Sequence, residues 1–274
     1  MIKRLFNRND NIAILIAGIF SIIIGLGVAR FAFTGLIPAM LDDYLTIKFV
    51  GILASLNFAG YLSGSIFSIF VKDINFKVYL YRFGIFLAIS TTFILAYSDN
   101  NTLWMIGRVL AGFAGAMCLI IGTSIVMQKL TIKSKTKAMG IHFSGIGFSI
   151  LTTDLLARFV LSLNYTWRDS WAVLAVFAII LSLYSVYILS FDKEVKQNAV
   201  KVKFDISIFT PFVIVLIIAY FTEGVGFVVQ ATFLPDIINN LKGLEGYGSL
   251  TWTLVGVAGI PSCIIWMMLA HKYG

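Results

Sequence analysis

Five charged residues lie inside long apolar runs of this 274-residue sequence: Arg30, Arg108, Asp154, Arg158 and Glu223. A charge at the centre of a membrane-spanning helix costs roughly 2.5–3.5 kcal/mol on insertion scales, so such side chains pair, line a water-filled path or bind a ligand. Arg30 sits in the stretch 25–40, GLGVARFAFTGLIPAM, among Gly25, Gly27, Gly35 and Pro38. Small residues let neighbouring backbones close in, and proline opens the helical hydrogen-bond ladder. Arg30 is therefore the first candidate to hold an anionic or polar solute group. Glu223 is the lone acid near the middle of the seventh apolar run. It is a candidate for reversible protonation, the alternative being a structural salt bridge.

Asp154 and Arg158 are four residues apart and can pair along one helix face, which Gly140, Ser144 and Gly147 share. In an antiparallel arrangement they reach the depth of Arg108, whose own face carries Gly112, Gly115 and Gly122. Two readings stay open: a charge cluster that locks the fourth and fifth helices together, or a proton or substrate role. Asn57, Tyr61, Gly64 and Ser68 fall on one face of the second run, with Gly60 and Gly64 forming a GxxxG contact; Tyr220, Glu223, Phe227 and Gln230 share a face of the seventh. His142 falls opposite the Asp154 stripe, where a packed or lipid-adjacent histidine belongs. Cys118 and Cys263 stand alone, without metal-ligand or disulfide spacing, and neither metal nor cofactor is expected.

The elements that must position these groups are membrane helices. Hydrophobic residues make up 59% of the chain and charged residues 12%, with mean hydropathy +0.93, against about a quarter charged in an average soluble protein. Eight apolar spans are expected at 12–41, 49–71, 78–98, 103–127, 138–162, 170–190, 208–234 and 249–270, each long enough to cross about 30 Å of hydrocarbon. The fold class is all-α, a polytopic transmembrane bundle with the lipid bilayer as partner. The formal charge of +8 does not indicate nucleic acid, because the basic residues fall between the spans. The first span is too long for a signal peptide and is read as a retained helix.

Alternate loops set the orientation. Lys3, Arg4, Arg8, Lys72, Lys77, Lys129, Lys133, Lys135, Lys137, Lys193, Lys196, Lys201, Lys203 and Lys272 fall on one side, and only Lys48, Arg168 and Lys242 on the other. Both termini are expected in the cytoplasm, across a cytoplasmic (inner) membrane. Trp104, Trp167, Trp171 and Trp252 fall near the outer ends, as an interfacial belt. Because the third and sixth spans lack central charges, they are expected to face lipid, and spans 1, 4, 5 and 7 a common interior.

A constant offset of 197 pairs Gly27 with Gly224, Val28 with Val225, Pro38 with Pro235, Gly51 with Gly248 and Leu53 with Leu250. This suggests a duplication, with residues 1–190 as a six-helix half, 191–207 as a central cytoplasmic loop, and 208–274 as the first two helices of a second half. The register sets Arg30 opposite Phe227, with Glu223 about one turn away, so Arg30 and Glu223 are matched opposite charges.

Several strings resemble the major facilitator superfamily of secondary transporters. Residues 108–116, RVLAGFAGA, resemble its R-x-x-x-G-x-x-x-A signature, and Trp167-Arg168-Asp169-Ser170-Trp171 its W-R-x-x-[FW] opening of the sixth helix. Gly64 with Lys72-Asp73 is a worn form of its loop after the second helix. Residues 140–147, GIHFSGIG, carry the antiporter motif's glycines without its Gly-Pro pair. Residues 27–38 and the HFSG string look like the YbfB/YjiJ-type bacterial branch. The resemblance implies twelve helices in two halves, with helices 1, 4, 7 and 10 around a cavity. The chain ends at His271-Lys272-Tyr273-Gly274, similar to the loop after helix 8, so a C-terminally truncated member is expected.

The expected function is a secondary active transporter, coupled to protons, moving a small organic solute by alternating access. Arg30 would hold the solute, Glu223 would carry the proton, and Arg108 with Asp154 would bias the gate. The alternative is a non-transporting scaffold or sensor derived from such a transporter. No enzyme is expected: a rhomboid-type site needs G-x-S-G, and His142 stands where Ser144-Gly145 would need glycine.

Overall fold

A computed structural model describes residues 2–41, 43–131, 135–190 and 208–273. After a short turn of helix, Ile2–Leu5, come eight membrane-length helices: α1 Asn11–Leu41, α2 Ile47–Phe70, α3 Ile74–Tyr97, α4 Asn101–Lys129, α5 Lys135–Ser162, α6 Trp167–Ile188, α7 Pro211–Asn239 and α8 Gly248–Tyr273. The described residues contain no strand. Lys133 and the whole segment 191–207, with Lys193, Lys196, Lys201 and Lys203, lie outside the described residues.

Polar caps fix where the helices begin. Asp10, Thr46, Asp73, Asn100 and Thr210 each accept a backbone N–H from the first turn, and Pro211 opens α7 where no donor is needed. Thr166 and Asp169 form a reciprocal capping box at α6. Within α1, residues Ile23–Phe31 form wide π-type turns, and α4 widens likewise at Met117–Ile121. Such turns are rare and concentrate at functional sites.

Backbone proximity holds the first six helices together. A Cβ at Gly60 of α2 would collide with the Val109 carbonyl of α4, and one at Gly112 of α4 with the Asn57 carbonyl of α2. Gly115 approaches the Gly25 carbonyl so closely that a Cβ would lie 3.0 Å from it. Small residues on facing helices allow dispersion contacts that lipid tails cannot match. The same device joins α5 to α8, where a Cβ at Gly147 would run into the backbone at Gly256, Gly259 and Ile260.

Three arrangements differ from the sequence reading. Half of the most apolar window of α3 is buried, as much as in α5, so lack of central charge did not mean lipid exposure. Its inward face is small or hydroxylated (Gly84, Ala88, Thr91, Thr92), and Tyr81 hydrogen-bonds Ser185 of α6. By contrast α7, expected in the interior, has no buried residue from Pro211 to Gln230. Finally, the tryptophans are not a lipid-facing belt: Trp104, Trp167, Trp171 and Trp252 are all buried. Trp104 and Trp167 meet edge to face at 5.9 Å under Tyr44, and their Nε1 groups donate to the Ser98 carbonyl and Asp43 at 2.8 Å. Residues at the helix ends thus supply the acceptors that these two buried indoles need, whereas the Nε1 groups of Trp171 and Trp252 are buried without one. Arg168 caps this cluster by pairing with Asp99.

If the Gly112 contact sets the α2–α4 spacing, Gly112→Leu should cost about 1–3 kcal/mol or more by overpacking. Gly226→Ala, where a Cβ meets nothing within 4 Å, should be neutral or gain about 0.5–1 kcal/mol. Thermal unfolding of both variants in detergent checks the contrast, and equal Tm values would contradict it.

Candidate functional site

Arg108 is 2% exposed in α4. Its Nε donates to the Leu53 carbonyl of α2 at 3.3 Å and its Nη1 to the Ala29 carbonyl of α1 at 3.1 Å, while its guanidinium lies 4.3 Å from the Phe33 ring centre. Asn57 of α2 donates back to the Arg108 carbonyl at 3.1 Å, and its Oδ1 is buried without a partner. Arg108 is thereby a tie between three helices, its charge spread over carbonyl dipoles.

Arg30 is placed differently. It makes no hydrogen bond and no ion pair among the described residues. Its guanidinium carbon lies 4.1 Å from the Phe58 ring centre, 5.3 Å from that of Tyr61 and 5.6 Å from that of Phe31. On one side of it is a gap of about 10 Å³, shared with Arg108, Asn57 and Thr34, which is room for roughly one water. On the other is a cleft of about 520 Å³ between α2 and α7, lined by Phe58, Tyr61, Tyr220 and Phe227 among others. No acidic side chain lines either space.

One end of the α1–α7 crossing is shut. Thr34 Oγ1 donates to the Ala231 carbonyl at 2.5 Å, joining two positions 197 residues apart. Beside it, Phe31 meets Trp252 of α8 at 6.0 Å, and Asp154 accepts from Arg158 Nη2 at 2.8 Å and from Thr253 Oγ1 of α8 at 2.6 Å. A Cβ at Gly35 would lie 3.1 Å from Asp154 Oδ1, so glycine there lets α1 cover the carboxylate. The cleft lies on the opposite side of this closure, beside the helix halves nearer the N-terminus.

The structure thus divides the candidates expected from sequence. Arg30, Tyr61 and Tyr220 come together on the cleft, and Arg108 and Asn57 stand immediately behind Arg30. Gln230 lines a separate apolar cavity of about 220 Å³ with Trp252 and Phe31. Asp154 and Arg158 are not joined to Arg108; they tie α5 to α8, so the lock expected between the fourth and fifth helices is instead one between the fifth and eighth. Glu223 is exposed, lines neither cavity and makes no ion pair with Arg30. His142 is fully buried, its Nε2 2.9 Å from Thr123 Oγ1. Among the described residues no three His, Cys, Asp or Glu side chains could hold a metal ion.

Phe58, Thr34 and Thr253 were missed. Phe58 carries no polar signal, and threonines inside spans are common. Thr34 and Ala231 stand at the offset of 197 but are not identical, so they were not among the pairs that carried it.

Residues 22–274 match the family described as Uncharacterised MFS-type transporter YbfB. Over 161 residues the chain is 24% identical to the Protein TsgA homolog of Buchnera aphidicola subsp. Baizongia pistaciae (strain Bp). That alignment covers 58% of this chain and 41% of the relative, so the chain spans less than half of the relative's length.

The two arginines should respond unequally to truncation. Arg108→Ala leaves two buried carbonyls without their charged donor and should cost about 3 kcal/mol. Arg30→Ala removes no hydrogen bond, only the contacts with the Phe58 and Tyr61 rings, and should cost no more than about 1 kcal/mol. Unfolding followed by tryptophan fluorescence in detergent compares them, and a greater loss from Arg30→Ala would contradict the assignment.

Proposed function

The chain belongs to the major facilitator superfamily, in its YbfB-type family, and from that premise we propose that it moves a small organic solute across the cytoplasmic membrane by alternating access, coupled to protons. The observation that carries this reading is one-sided access to Arg30. The α1–α7 crossing is shut at Thr34 and Ala231, while α7 stands clear of α2 along the cleft. A solute entering the cleft meets Arg30 and is stopped by that closure. Rocking of α7 and α8 against α1–α6 would exchange the open and shut ends, the motion typical of transporters built from repeats. We take residues 1–190 as one half and 208–274 as the start of its partner, with 191–207 as the cytoplasmic link. Contact between Thr34 and Ala231 at the repeat offset supports this division. Basic residues at the end bearing the N-terminus support a cytoplasmic N-terminus.

Two acids at membrane depth are the candidate proton carriers. Protonating Asp154 would weaken its pair with Arg158 and its hold on Thr253, loosening α5 from α8. Protonating Glu223 would lower the cost of its face of α7 entering lipid as the helix moves. Arg108 keeps α1, α2 and α4 moving as one body.

In vesicles with an imposed pH gradient, solute movement should follow the gradient. Arg30→Ala should reduce it at least tenfold, and Asp154→Asn should leave exchange but lose the dependence on pH. Full activity in Arg30→Ala, or unaltered pH dependence in both Asp154→Asn and Glu223→Gln, would sink the corresponding role.

A further inference from the structure

Resting on the transport reading and narrowing its substrate, we infer that the α2–α7 cleft takes a small organic anion with an aromatic or otherwise apolar body, its carboxylate held by Arg30. All five N–H donors of Arg30 lack an acceptor among the described residues, although its side chain is partly buried at membrane depth. Arg108, immediately behind, adds a second positive charge, and neither the gap nor the cleft contributes a carboxylate. With no carboxylate beside it, such a charge excess favours an anion over a cation or a neutral group in the cleft. A planar guanidinium matches a carboxylate by two parallel hydrogen bonds.

The rest of the cleft fixes the other half of the ligand. Its aromatic walls are Phe58 and Tyr61 beside Arg30 and Tyr220, Phe221 and Phe227 on α7, and its volume of about 520 Å³ falls in the range of small-molecule sites. The Phe58 and Tyr61 ring centres lie 4.1 and 5.3 Å from the guanidinium carbon, and ring faces hold a cation without using its N–H donors, which stay available to an anion. A ring attached to the carboxylate would lie against Tyr220 and Phe227, displacing poorly held water or lipid. A cation would be repelled, and a fully polar anion would leave the aromatic walls uncovered.

Equilibrium dialysis of the purified full chain in neutral detergent tests this with phenylacetate, acetate and 2-phenylethanol as probes. Phenylacetate should bind saturably, and acetate and 2-phenylethanol each at least tenfold more weakly. Arg30→Gln should weaken phenylacetate roughly tenfold to a hundredfold, with Arg30→Lys between it and the parent. Tyr220→Ala, on a face already exposed, should weaken phenylacetate several-fold and leave acetate unchanged. Equal binding of 2-phenylethanol, indifference to Arg30→Gln in a folded variant, or competition by phosphatidylglycerol without phenylacetate binding would each overturn the assignment; the last would make Arg30 a lipid anchor. Phenylacetate binding without gradient-driven movement in vesicles removes the transport reading and keeps this one. Movement of another solute through Arg30 without phenylacetate binding does the reverse.

Discussion

Inside a bilayer a guanidinium has little water to satisfy its donors, so an arginine at that depth needs acceptors from the fold, a water-filled space or a ligand. Arg108 receives the carbonyls of Ala29 and Leu53, and the packing of α1, α2 and α4 depends on that arrangement. The Leu53 carbonyl comes within reach because Gly60 and Gly112 bring the α2 and α4 backbones together, and the Ala29 carbonyl because Gly115 lets α4 approach α1 at Gly25. The wide turns of Ile23–Phe31 run through Ala29 and Arg30 alike. Local geometry, glycine placement and charge satisfaction are therefore one solution. Arg30, one residue beyond Ala29, faces the other way and receives only aromatic faces. Two arginines of the same composition thus divide into a structural tie and an unsatisfied site.

The last two helices are attached unequally: α8 packs closely along α5, whereas α7 touches the bundle over a short stretch. Between α7 and α1 the closure centres on Thr34 and Ala231, and between α8 and α5 it combines glycine contacts with the Asp154–Thr253 bond. A single hydroxyl-to-carbonyl bond is worth about 1 kcal/mol net. An interface of this kind is suited to opening and closing, whereas the α1–α6 bundle, locked by Arg108 and the Trp104–Trp167 cluster, is suited to remaining fixed.

The fold was largely legible in the sequence because apolar length and polar caps are local signals; each helix lies within a few residues of its expected span. The site was legible only in part. Arg30 and Arg108 stood out because charge in an apolar run is rare, yet nothing local distinguished the one with acceptors from the one without. Those acceptors are backbone carbonyls of other helices, invisible in side-chain identity. Asp154 pairs with Arg158 as their spacing suggests, but its contact across to α8 was missed because Thr253 is one hydroxyl among many. On α7, apolar residues surround the helix, so periodicity could not tell which face met the cleft, and Tyr220 was grouped with Glu223 although the structure separates them. Tryptophans near helix ends carry the same signature whether they face lipid headgroups or one another.

In the proposed transport cycle Arg30 is reached from one side at a time, and the cleft beside it here opens toward the end bearing the N-terminus. Cysteine at Phe221, on the cleft, and cysteine at Ala231, in the closure, read this most directly in a background with Cys118 and Cys263 replaced by alanine. A charged, membrane-impermeant maleimide should modify the Phe221→Cys site from the N-terminal side of sealed vesicles and leave Ala231→Cys unmodified. Modification of Phe221→Cys only from the opposite side, or of Ala231→Cys from both sides, would contradict the account.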